Sequence, residues 1–109
     1  MVVVDITYLN LRDEIRTTGL PCTYGRYLEP PPLPYTVIVE TDDDDLKADN
    51  KNYAKIRGHD LELYSKIKHP PSEQLIDDKL EELGIPYSKY STEIESEGLY
   101  ETVYSVQLI

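Results

Sequence analysis

Apolar residues open the chain at helical spacing and then shift to the alternation of strands. Tyr8, Leu11 and Ile15 fall at i, i+3 and i+7, with Leu9 beside them. This predicts an amphipathic helix over about residues 6–17. Asp5 is the candidate cap, and Gly19 followed by Leu20-Pro21 is the stop. Residues 22–27 read as a short strand weakened by Gly25. Tyr35 to Thr41 holds the β-branched run Thr36-Val-Ile-Val39, the mark of a strand buried on both faces and therefore central. A longer strand is predicted over about residues 52–67, and its apolar positions change parity. Ala54 and Ile56 share one parity, Leu61 and Leu63 the other. A period of two puts those pairs on opposite faces, so a β-bulge or bend is expected near Gly58.

After His69-Pro-Pro71, Ser72 offers an N-cap. Leu75, Ile76, Leu80 and Leu83 then form an apolar helical stripe, closed by Gly84 and Pro86. Residues 87–94 and 99–109 flank Glu95-Ser-Glu-Gly98, which reads as a hairpin with glycine at the turn. Tyr104, Val106 and Leu108 alternate as one face of the last strand. The order is α-β-β-β-α-β-β. The expected fold class is α+β: a mostly antiparallel sheet with two helices packed on one face. One domain is expected over 1–109, with a long acidic loop at 41–51. The run Glu29-Pro-Pro-Pro-Leu-Pro34 reads as a stiff polyproline connector. It is bracketed by strands rather than lying in the free tail expected of an SH3-type ligand.

Composition sharpens this picture in three ways. The 39% hydrophobic and 29% charged content of these 109 residues is a globular balance, which excludes a wholly disordered chain. All aromatic content is tyrosine: ten Tyr, no Phe and no Trp. Tyrosine has an apolar ring and a polar tip, so it suits half-buried sheet faces and subunit interfaces. The net charge of −10 argues against a nucleic-acid reader and against an anionic membrane surface, both of which need basic residues. It permits a partner with a basic patch. The lone Cys22 excludes an internal disulfide or a cysteine metal cage. No 18-residue apolar run or basic-flanked leader is present, so a soluble, cytosolic chain is expected.

Candidate chemistry centres on Thr41-Asp-Asp-Asp-Asp-Leu-Lys-Ala-Asp-Asn50. A calcium loop needs alternating ligands, a glycine at its sixth position and a glutamate at its twelfth. Counted from Asp42, those positions are Lys47 and Tyr53, so the pattern fails. The plain reading is a solvated loop; the sharper one is a loop that orders when subunits assemble. The candidate interface residues are Asp42, Asp43, Asp44, Asp45, Leu46 and Lys47 in this loop, Tyr53, Lys55 and Arg57 beyond it, and Asp78 and Glu82 on the second helix. Residues 40–50 carry six acids and one lysine, and residues 51–69 five bases and two acids, so adjacent patches have opposite sign. Such patches can set the orientation of a neighbouring subunit. On the second helix, Asp77/Glu81 and Asp78/Glu82 are like-charge pairs at i,i+4, each costing about 0.2–0.5 kcal/mol. That face is either simply solvated or meets a basic partner. His59 and His69 are the only histidines, and no nucleophile elbow, phosphate loop, dinucleotide fingerprint or H-E-x-x-H is present. No catalytic residue, cofactor or metal is therefore expected.

Three stretches carry a family resemblance. The first is the early helix ending at Gly19-Leu-Pro21, with the proline run into Pro34-Tyr-Thr-Val-Ile-Val39. The second is the acidic loop through Ala48-Asp-Asn50 and Tyr53 into Leu61-Glu-Leu-Tyr64-Ser-Lys66. The third is Leu83-Gly-Ile-Pro-Tyr87 with Glu93-Ile-Glu-Ser-Glu-Gly-Leu-Tyr100-Glu-Thr-Val-Tyr104. Together they resemble the small tail-completion or tail-terminator proteins of long-tailed bacteriophages. The resemblance implies a structural subunit of a ring, commonly a hexamer. The ring caps the tail tube, stops its polymerisation and joins the head connector, with DNA passing through unbound. It implies neither catalysis nor a cofactor, with the major tail tube protein and head–tail connector proteins as partners. It places the chain in the virion neck, assembled in the host cytoplasm. A head–tail connector or stopper, or an acidic DNA-mimic inhibitor of a host enzyme, shares the charge and is the alternative.

Overall fold

The structure, a computed structural model, describes residues 6–41 and 57–108. Two helices and five strands follow in the order α1 (Tyr8–Arg16), β1 (Cys22–Tyr24), β2 (Tyr35–Glu40), β3 (Arg57–Ser65), α2 (Pro70–Leu83), β4 (Tyr87–Ile94) and β5 (Leu99–Leu108). The strands form one sheet in the order β1-β2-β3-β5-β4. β1 pairs with β2 in parallel; the other three pairings are antiparallel. The fold is α+β, with both helices packed against the same face of the sheet.

Local chemistry explains where each helix begins. Thr7, in extended conformation, caps α1: its side chain accepts from the Asn10 N–H at 3.2 Å, and the Asn10 side-chain Oδ1 accepts from the Thr7 N–H at 3.2 Å. This reciprocal box satisfies two orphan donors of the first turn. The expected cap, Asp5, lies outside the described residues. α2 starts before the expected Ser72 cap. Pro70 and Pro71 occupy its first two positions, where a missing N–H costs nothing and a fixed φ helps. His69 is therefore the cap, and its Nδ1 accepts from the Ser72 N–H at 3.3 Å. Gly84 ends α2 in the left-handed region at φ 72°, and the Ile85 N–H reaches back to the Leu80 carbonyl at 3.0 Å.

The core lies between the helices and one face of the sheet. Leu11 and Ile15 of α1 and Ile76 and Leu80 of α2 meet Ile38, Leu61, Leu63, Tyr104, Val106 and Leu108, all of them buried. Leu75, expected in the α2 stripe, is instead 41% exposed, because Ile76 and Leu80 already face the sheet and Leu75 turns to its side. Tyr104 is fully buried, yet its hydroxyl donates to the Glu73 carbonyl at 3.2 Å, so its polar tip is satisfied. Among the described residues the bulge or bend expected near Gly58 is not seen: β3 pairs residue for residue with β5 from Arg57 to Ser65, Gly58 facing Gln107. The parity of Leu61 and Leu63 simply continues back to buried His59. Ala54 and Ile56, which raised the question of phase, lie outside the described residues.

Candidate interaction surface

Most of the interface residues read from the sequence fall where the structure is not described: Asp42, Asp43, Asp44, Asp45, Leu46, Lys47, Tyr53 and Lys55. Arg57 is described by its backbone alone, which opens β3 opposite Leu108. Asp78 and Glu82 are exposed on α2. The repulsion implied along that helix is largely answered. Lys89 of β4 lies 3.2 Å from Asp77, the Tyr87 hydroxyl is within 3.4 Å of Glu81, and Lys79 reaches both Glu82 and Glu14 of α1 at 3.4 Å. Asp78 accepts from Gln74 at 2.7 Å. The acidic face of α2 is thus cross-linked to β4 and α1 rather than left as a bare charged stripe.

Alternation along the strands builds a second surface, on the sheet face that carries no helix among the described residues. Its rows follow from the register: Tyr35 beside Tyr64 beside Glu101, then Val37 beside Glu62 beside Val103 beside Tyr90, then Val39 beside Asp60 beside Ser105. Tyr27 packs edge-on against Tyr35, centroids 5.3 Å apart, and Tyr35 lies 5.5 Å from Tyr64. The Tyr64 hydroxyl sits 2.9 Å from Glu62 and 3.1 Å from Glu101. It has one proton and two carboxylates to serve. Burial, then repulsion from Glu101 and Asp60, pushes the Glu62 carboxyl up despite the Tyr64 hydrogen bond. Burial and the same two glutamates push the Tyr64 phenol up as well. Val37 and Val103 are buried beneath these side chains, while Tyr90 is 55% exposed. The result is a helix-free face with tyrosine rings, a valine floor and three carboxylates.

The sequence flagged neither Glu62, Tyr64 and Glu101 nor the ion-pair knot on the other face. There Glu73, 5% exposed, accepts from Lys68 at 2.8 Å and Lys89 at 3.1 Å. Burial opposes its ionisation, but the two ammonium groups outweigh that and hold the carboxyl below the usual range. Lys89 also lies over the Tyr104 ring at 5.4 Å. The polar parity of Asp60-Leu-Glu-Leu-Tyr64 was the available signal for the first group. Its pairing with Glu101 needed the β3–β5 register.

Cys22, His59 and His69 each have a place in the fold. Cys22 is buried, which pushes its thiol up and away from the reactive thiolate, more than the Thr36 hydrogen bond and nearby arginines lower it. His59 stacks on Tyr8 at 6.0 Å. His69 caps α2. A hollow of about 140 Å³ lies between Leu33, Pro34, Ser65, Lys66, Ile67 and His69, mostly apolar and wide to solvent. Among the described residues, no group of three or more His, Cys, Asp or Glu is placed to hold a metal ion, and no helix is long and apolar enough to cross a membrane. No family model matches the sequence, and no curated protein matches it.

Proposed function

We propose that this chain is a structural assembly protein of a tailed phage, the subunit of a ring that terminates the tail tube and joins it to the head connector. The observation that carries the reading is the helix-free sheet face. Tyr35, Tyr64 and Tyr90 spread across it over Val37 and Val103, and tyrosine offers large contact area with a polar rim at low entropy cost. A ring needs head-to-tail contact between unlike surfaces, and this tyrosine-bearing sheet face is unlike the helical side. The sequence resemblance supplies the phage context. On this reading the protein acts by docking, turns over no substrate, needs no cofactor, and sits in the virion neck beside the tube and connector proteins. DNA passes it without specific contact.

A connector or stopper in the same neck is the near alternative. A DNA mimic is less well supported, because Asp77, Glu81 and Glu82 are met by Lys89, Tyr87 and Lys79, whereas a mimic presents its acids unpaired. The test is reconstitution with purified tube protein. Added chain is expected to arrest tube growth and appear as a ring at one tube end, and Tyr64→Ala with Tyr90→Ala is expected to abolish arrest while the fold is kept. Unchanged tube growth, with no chain bound at the end, contradicts the terminator role.

A further inference from the structure

The two edges of the sheet differ. One edge is β1, three residues long, and its Cys22 carbonyl is already taken by the Arg16 guanidinium at 3.0 Å. The other is β4, eight residues long and exposed over Ser88 to Glu93. Its pairing with β5 runs one-to-one from Tyr87 to Ile94, so no bulge bends it away. It contains no proline, and its one lysine, Lys89, is drawn over the helix side by Glu73 and Asp77. Most devices that protect an edge strand from pairing are therefore missing from β4.

We infer that β4 pairs antiparallel with β4 of a second copy, about a two-fold axis at Ser91. A strand that pairs with its own copy across the same edge does so through a two-fold axis, and an antiparallel ladder meets that condition. Side chains choose the register. Centring on Ser91 sets Lys89 opposite Glu93 of the second copy, twice, with Tyr90 opposite Thr92 and Ser88 opposite Ile94. Centring on Tyr90 sets Lys89 against Ser91, and centring on Thr92 sets it against Glu95 outside the strand, so only the Ser91 register matches charges within β4. Within its own chain Lys89 already pairs with Glu73 and Asp77, so the second copy's Glu93 adds a further carboxylate beside it. Glu93 is exposed and lies on the same face of β4 as Lys89. The pairing joins two five-stranded sheets into one of ten. A two-fold contact cannot close a polar ring, so it is distinct from the head-to-tail contact of the sheet face and holds whether or not the virion role does.

The test is native mass measurement of the full chain with disulfide trapping. A species of twice the 12.6 kDa chain mass is expected. Ser91→Cys is expected to trap it as a disulfide dimer under mild oxidation, because residue 91 alone faces itself across the axis; Ser88→Cys is expected not to. Glu93→Lys, an exposed change that leaves the fold intact, is expected to weaken the dimer about tenfold. A chain that stays monomeric at all concentrations overturns the inference, as does a dimer that Ser91→Cys fails to trap. Neither result bears on tube arrest, which tests the neck role separately.

Discussion

Glu73 is the residue on which the helix side of the molecule turns. Its carboxylate ties α2 to the loop before it through Lys68 and to β4 through Lys89. Its folded pKa lies below the unfolded value, so the stability it contributes is present above about pH 4.3 and is lost as pH falls through the folded pKa. Glu73→Gln is expected to cost about 1–3 kcal/mol at pH 7, with wild type and variant converging in denaturant titrations only once the pH has fallen through the lowered folded pKa. Glu62 is the opposite case. Its folded pKa is raised, so its contribution is favourable below the unfolded value and turns against folding as pH rises. Glu62→Gln is therefore expected to stabilise the protein at neutral pH by up to about 0.5 kcal/mol. The tyrosines complete the pH profile. Burial pushes Tyr27 up to about 12 and also raises Tyr104 and Tyr64. Their neutral forms favour the fold, and that contribution fades as pH climbs above about 10. Tyrosinate absorbance is expected to rise in two phases, the later one coinciding with loss of secondary structure.

At the level of elements, each helix depends on a cap that can be removed alone. Thr7→Ala removes the acceptor for the Asn10 N–H and is expected to cost about 1 kcal/mol. Gly84→Ala meets no atom within 4 Å, so its cost is backbone strain at positive φ, about 1–2 kcal/mol by chemical denaturation. The order of elements was legible because helix and strand periods differ sharply here. Leu11/Ile15 and Ile76/Leu80 mark helices, whereas Thr36-Val-Ile-Val39 and Tyr104/Val106/Leu108 mark strands. The caps were less legible. Thr7 and Asp5 are both good caps by residue type, and only backbone geometry at Thr7 decides. Residue type favours Ser72 over His69 as a cap, although Pro70 and Pro71 already fix where the first turn begins. Gly58 misled for a related reason: glycine within a strand can mark a bulge, but here it only occupies the open parity beside His59.

For the whole molecule, the sequence foretold one sheet face covered by helices and could not foretell what the other face would gather. Tyr64 and Glu101 are 37 residues apart and meet only through the β3–β5 register. Conversely, the aspartate run is the most conspicuous feature of the sequence, yet it lies outside the described residues, while the acids of α2 prove to be bound by lysines, a tyrosine and a glutamine. Among the described residues, the surfaces that the proposal offers to partners are the tyrosine face and the open β4 edge beside it. Both fit the proposed reading of a protein that works by contact. The most direct measurement is electron microscopy of phage particles assembled without this chain. The account predicts tails of uncontrolled length, or finished tails detached from heads. Particles with tails of normal, uniform length joined to full heads would contradict it.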